Sequence, residues 1–328
     1  MDSATYRDAI PSQEPTMNRS TESPTLPLRE RRHALPAAER AAEQAVLASL
    51  AAHFAGFQGS LRESYDAMTA MTPMAAGVAF EEVDDVAVKG WWCRPAGAPA
   101  DRAILFVHGG AYMLGSARAY RGLASHVAAR AGVAVFVPDY PLAPERPFPA
   151  AYDATVAARR WLGARGLAQI ALAGDSAGAG LVLATLAGPV AGSPPVRAVV
   201  AFSPWTDLAL GGPSFNDPAT HDPVFKPPVL AGAAKAYLSG ADPRDGRASP
   251  LHAIPADLPP LLVQVGTDEL LRDDALRYAA LAAQKGAEVR LDVFEGLHHV
   301  FQRAVAELPS AARALDDAAE FVRANWRD

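Results

Sequence analysis

Gln169-Ile-Ala-Leu-Ala-Gly174-Asp175-Ser176-Ala177-Gly178 runs from a short apolar stretch into a G-x-S-x-G motif and on into an Ala- and Leu-rich segment, 177–187. The five-residue pattern alone says little. A strand pattern before it and a helical pattern behind it give it weight. Glycines on either side permit the tight strand-to-helix turn that projects a serine hydroxyl. The helix N-terminus then brings unpaired N–H groups and a positive dipole end to the place where an oxyanion would form. Ser176 is therefore the candidate nucleophile, and the N–H of Ala177 a candidate oxyanion donor.

The same alternation extends outward in both directions. Apolar runs at 103–107, 133–137, 170–173, 196–202, 261–265 and 289–294 predict strands, and 119–131, 152–162, 177–187, 273–285 and 304–326 predict helices. Phe80 to Cys93 reads as two antiparallel strands turning near Asp84-Asp85 or Lys89-Gly90. Short β-branched runs separated by helices indicate a mostly parallel sheet covered on both faces, an α/β fold. No internal repeat is present.

The strand at 103–107 runs into His108-Gly109-Gly110-Ala111-Tyr112. Glycines there let the backbone approach a substrate carbonyl, so the N–H groups of Gly110 and Ala111 join that of Ala177 as expected oxyanion donors, with Gly109 shaping the turn. His108 and Asp175 are read as structural.

Half of the 328 residues are hydrophobic and 20% are charged, enough apolar material for a large core. Asp and Glu outnumber Lys and Arg by 36 to 30, for a formal charge of -6, which argues against nucleic-acid binding. One cysteine, Cys93, excludes an internal disulfide framework or a multi-thiolate metal site. No apolar run approaches the ~20 residues of a membrane span. Residues 1–32, rich in Pro, Ser, Thr, Arg and Glu and without a secretory-signal pattern, read as a flexible tail. A cytoplasmic location is expected.

Between 33 and 77, Leu47, Leu50, Phe54 and Phe57 share one helical face, and Leu61, Tyr65 and Met68 suggest a second helix. This segment serves either as core packing or as a cap. Residues 78–328 form the catalytic domain. Between 204 and 260 the chain turns dense in Pro, Gly and Asp, with one short helix expected at 229–238. Its 204–240 part is read as a lid or binding loop.

A serine nucleophile needs a base, and the base an orienting carboxylate. Four histidines follow Ser176. His221 and His252 fall in the irregular excursion, whereas His298 and His299 follow the strand at 289–294. The acid is expected after the strand at 261–265, where Asp268 and Glu269 compete. Asp273 and Asp274 are read as helix N-caps.

These segments together resemble the bacterial hormone-sensitive-lipase-like carboxylesterases, a branch of the α/β-hydrolases. His108–Ser116 is similar to the family's oxyanion loop, and Asp139-Tyr-Pro-Leu-Ala-Pro-Glu-Arg-Pro-Phe-Pro-Ala150 resembles its Y-R-L-A-P-E-x-P-F-P-A segment. Gly174–Gly178 matches its nucleophile motif, and Ser249-Pro-Leu251 also fits. Laid on the chain without a gap, the family's D-P-L-R-D-E motif puts the acid on Glu269, with Asp268 the alternative, and its H-G-F histidine falls on His299. Two departures stand out: Ala111 where the family has a third glycine, and Pro141 where it has an arginine.

The resemblance implies an α/β-hydrolase fold with an N-terminal helical cap, no cofactor or metal, and small-molecule esters of short or medium acyl chains as substrates. It allows a homodimer. Tyr112, Trp205, Phe215, Phe225 and Leu297 are then candidate pocket walls. Competing readings are a lactone or N-acetyl amide hydrolase, an acyltransferase, and a non-catalytic receptor on the same scaffold.

Overall fold

The computed structural model describes residues 28–326. Among these residues, nine strands form one sheet: β1 (Arg29–His33), β2 (Val78–Asp84), β3 (Lys89–Pro95), β4 (Arg102–Val107), β5 (Ala134–Asp139), β6 (Gln169–Asp175), β7 (Val196–Phe202), β8 (Leu261–Asp268) and β9 (Val289–His298). Their spatial order is β1-β9-β8-β7-β6-β4-β5-β3-β2. β3 runs antiparallel to both β2 and β5, and every other neighbouring pair is parallel.

The central strands are apolar along their whole length because both faces are covered. Along β4, Ile104 and Phe106 point into one core with Tyr120, Leu123 and Ala128 of the α3 side (α3, Arg121–Ala131) and Leu315 and Val322 of α9 (Pro309–Asn325). Leu105 and Val107 point into the opposite core, with Trp161 and Leu162 of α4 (Ala150–Ala164), Leu181 of α5 (Ser176–Ala184) and Tyr278 of α8 (Arg272–Gln284). This alternation makes a three-layer α/β/α domain. Each fully buried Leu, Ile or Phe contributes about 1.5–3 kcal/mol.

Outside the layers lie α1 (Arg40–Gly56), α2 (Leu61–Thr69), α6 (Pro213–Asn216) and α7 (Pro227–Leu238). A capping box starts α2: the Glu63 N–H donates to Ser60 Oγ, and the Ser60 N–H donates to Glu63 Oε2.

Several boundaries differ from expectation. Residues 29–32, read as the end of a flexible tail, form most of β1 on the edge of β9. Residues 1–27 of that tail lie outside the described residues. The last helix begins at Pro309 rather than 304, because a proline at the first helical position starts a helix and cannot continue one. β9 continues four residues past Phe294: after a bulge opposite Gly266, Asp268 pairs with His298, and the Gly296 N–H donates to Thr267 Oγ1 at 2.8 Å.

Candidate active site

β6 ends at Asp175, and Ser176 turns the chain into α5 with φ +52°, a left-handed backbone that costs a non-glycine residue about 1 kcal/mol or more. The turn is tight because α5 presses on β4. A Cβ at Gly178 would stand 2.1 Å from the Val107 carbonyl oxygen, so only glycine fits there. Ala177 lies in the first turn of α5, whose N–H groups have no partner inside the helix.

Facing this turn, the loop after β4 is held by the Asp175 carboxylate. Its Oδ1 accepts the Gly109 N–H at 2.8 Å, and its Oδ2 accepts Tyr120 OH at 3.0 Å and Arg303 Nη2 at 2.7 Å. Asp175 is thus structural, but its hydrogen bond occupies the Gly109 N–H, which is not free as an oxyanion donor. Gly110 and Ala111 line a cavity together with Ser176, and among the described residues their N–H groups have no hydrogen-bond partner. Gly110 has φ +117°, and a Cβ there would meet the Leu114 carbonyl oxygen at 2.2 Å. Ala111 accepts a left-handed φ of +53° where a glycine was expected. His108 Nδ1 donates to the Gly109 carbonyl at 2.8 Å, and its ring stacks on Tyr140. The Glu145 carboxylate of the Asp139–Ala150 segment pairs with Arg62 of α2 at 2.6 Å.

The end of β9 delivers two adjacent histidines to different partners. His299 Nδ1 donates to Glu269 Oε2 at 2.6 Å, with both side chains buried. Glu269 Oε1 accepts Ser203 Oγ at 2.8 Å and the Gly266 N–H at 2.7 Å, so the carboxylate is fixed by three donors. His299 Nε2 is buried with no hydrogen-bond partner among the described residues, and His299 lines the same cavity as Ser176. Asp268 closes β8 and accepts Thr267 Oγ1 at 2.9 Å; no hydrogen bond joins it to His299 among the described residues. His298 donates through Nδ1 to Glu43 of α1 at 2.7 Å, also buried. Of the remaining histidines after Ser176, His221 is exposed and His252 stands 3.4 Å from Asp207.

The cavity has a volume of about 710 Å³, within the range that buries drug-sized ligands. Its walls are mostly apolar: Val46, Leu47, Leu50 and Phe54 of α1, Tyr65 and Met68 of α2, and residues 223–225 of the excursion. Of the five expected wall residues, Phe225 alone is in this lining, with its ring edge-on to His299 at 5.1 Å. Tyr112 and Trp205 are buried against each other, and Tyr112 stacks on Tyr237 at 3.9 Å, because φ +62° turns it into the core beneath the loop. Leu297 packs with Phe294 and Phe301 under α9, and Phe215 packs on the core beside α8.

Glu43, Ser203 and Arg303 were not singled out from the sequence. Each belongs to a pair formed over long sequence distances, without a local motif. Glu39, just before α1, accepts the Ser310 N–H at 2.8 Å, so two carboxylates dock α1 onto the C-terminal segment.

Asp273 and Asp274 do not cap α8; they tie the excursion down. Asp273 accepts the Ser214 N–H, and Asp274 Oδ2 accepts those of Thr206 and Asp207, both at 2.8 Å. Burial pushes the Asp274 carboxyl from 3.8 up to about 7, against the pull of those two N–H donors. The folded chain therefore binds this proton more tightly than the unfolded one. That contribution to stability is fully present below about pH 4 and is lost as pH rises through about 7. Urea unfolding of wild type and Asp274→Asn should show the wild type's relative stability falling by roughly a few kcal/mol between about pH 4 and about pH 8. A difference that stays constant with pH would show that Asp274 does not titrate there.

A family model described as the α/β-hydrolase fold matches residues 104–303. An acetyl-hydrolase of Streptomyces hygroscopicus is 41% identical over 235 residues, covering 71% of this chain and 78% of that protein. An esterase of Acinetobacter venetianus is 35% identical over 267 residues, 80% of this chain and 88% of that one. The crystal structure of an esterase from the bacterial hormone-sensitive lipase family superposes with a TM-score of 0.81 at 38% identity, covering 87% of this chain and 98% of the other. Among the described residues, no helix is long and apolar enough to cross a membrane.

Proposed function

The chain belongs to the α/β-hydrolases, in their hormone-sensitive-lipase-like branch, and is a carboxylic ester hydrolase; from this premise we propose that it cleaves short- to medium-chain acyl esters through an acyl-enzyme on Ser176. One observation carries the reading. His299 is held at Nδ1 by Glu269, its Nε2 has no partner among the described residues, and it lines the cavity that Ser176 also lines.

Ser176 Oγ attacks the ester carbonyl while His299 Nε2 takes its proton. Glu269 fixes the imidazole tautomer and stabilises the imidazolium. The N–H groups of Gly110, Ala111 and Ala177 receive the oxyanion, each worth about 3 kcal/mol. His299 then protonates the leaving alcohol, water enters, and the same base directs it onto the acyl carbon. Residues 33–77 and the 223–229 part of the excursion act as the cap, shielding these charges from solvent.

The test is hydrolysis of p-nitrophenyl esters from acetate to laurate, with phenylmethylsulfonyl fluoride as a serine-directed label. The expected result is turnover highest at short or medium chains and a single sulfonyl adduct on the peptide that holds Ser176. An adduct elsewhere, with activity lost, would overturn the nucleophile assignment. A second reading is removal of an acetyl group from a larger molecule. It is favoured by the name of the Streptomyces relative and by a cavity far larger than an acetyl group. A sharp peak at acetate would support it.

A further inference from the structure

Arg303 sits in the turn Phe301–Ala304 just past His299 and is one of the residues that line the cavity. Its Nη2 is within hydrogen-bond distance of Asp175 Oδ2 (2.7 Å), Tyr65 OH (2.8 Å) and Tyr120 OH. That one nitrogen carries all the side chain's hydrogen bonds. Nε is buried without an acceptor, and among the described residues Nη1 donates to nothing. A guanidinium has five N–H donors in a fixed fork, and a donor left unpaired away from water is costly. Here most of the fork is unspent, in a cavity whose lining includes Leu47, Leu50, Met68 and Leu114. An apolar acyl chain alone would leave these donors unmet.

We propose that Arg303 is a specificity-determining residue that donates a hydrogen bond to a neutral oxygen, an ether or a carbonyl, carried by the part of the ester held in this cavity. Neutrality follows from the charges already present. Asp175 is buried and meets the guanidinium at 2.7 Å. A carboxylate on the substrate would set a second anion against one cation in a dry site, at a desolvation cost that the shared cation cannot offset. A neutral acceptor takes the spare N–H groups without disturbing the ion pair. The Asp175 link also ties Arg303 to the Gly109 N–H, so the residue that reads the substrate is joined to the loop that presents Gly110 and Ala111.

The inference rests on the cavity being the ester site of Ser176, and the experiment separates the two. Steady-state kinetics would be measured for a series of p-nitrophenyl esters in which one chain methylene is replaced by an ether oxygen at successive positions. Each ester is run beside its all-carbon isostere, together with a monoester of a dicarboxylic acid, on wild type, Arg303→Lys and Ser176→Ala. The lysine keeps a cation on Asp175 and removes the fork. In wild type, the kcat/KM ratio of ether to isostere should peak at one oxygen position. There it should exceed the ratio in Arg303→Lys by at least about tenfold. A flat series in wild type overturns the inference even if the lysine variant does not fold, and so does an equal ratio in both proteins. A preference for the dicarboxylate monoester overturns the neutral-acceptor assignment. All-carbon esters whose hydrolysis survives in Ser176→Ala would instead sink the serine reading.

Discussion

Ser176→Ala should lower kcat for p-nitrophenyl ester hydrolysis by roughly five orders of magnitude while leaving the unfolding midpoint near that of wild type. The substitution removes one oxygen and keeps the Cβ, so the strain of φ +52° at this position is unchanged. Neighbouring backbone constraints, above all the approach of Gly178 to Val107, are untouched. What disappears is the atom proposed to bond to the acyl carbon. The remaining hydrolysis comes from the N–H groups that face the oxyanion and from binding alone. Pre-steady-state kinetics with substrate in excess make the test strict, since wild type with slow deacylation should show a burst of p-nitrophenol and the variant none. A variant that keeps even a tenth of wild-type kcat would mean that another group attacks the ester.

Glu269→Gln should cost roughly four orders of magnitude in kcat, and Asp268→Asn less than about threefold. The asymmetry follows from who donates to whom. Glu269 Oε1 already accepts Ser203 Oγ and the Gly266 N–H. A glutamine would keep its carbonyl oxygen on those two donors and turn its NH₂ toward His299. Nδ1 of the histidine must then accept, which places the ring proton on Nε2, where it cannot take one from Ser176. Asp268 touches Thr267 and would lose nothing of this kind. Equal losses in the two variants, or a larger loss in Asp268→Asn, would show that the acid has been misassigned.

The elbow at Gly174–Gly178 was legible because its demands are local: a strand, a turn that excludes side chains, and a helix all follow one another within some fifteen residues. The choice between Asp268 and Glu269 stayed open for a physical reason. Asp268 ends β8 and Glu269 follows it, just where the pairing with β9 slips by two residues between Gly266–Phe294 and Asp268–His298, and neighbouring side chains along a strand face opposite ways. The cavity walls were the least legible part. Tyr112 leaves the expected wall because of a positive φ that its sequence gives no hint of, and helix α1 supplies eight lining residues, of which only Leu47, Leu50 and Phe54 belong to the stripe read as core or cap. The pairing of Glu43 with His298 spans 255 positions, beyond the reach of any motif. Strands whose apolar residues face two cores read well, since burial on both faces imposes nearly unbroken hydrophobic runs.

That same span orders the events of synthesis. The segment that becomes β1 and α1 leaves the ribosome long before its partners, β9 and the residues around Ser310. Chain closure over such a distance is slow relative to local pairing, so the central strands collect their helices while the N-terminal segment waits. Until it docks, the apolar flank of α1 has no wall to complete and is open to other chains. The cavity is thus among the later parts of the fold to be finished, and esterase activity that appears during refolding should report the docking of β1 and α1 onto β9 and the segment around Ser310, later than the recovery of sheet and helix signals.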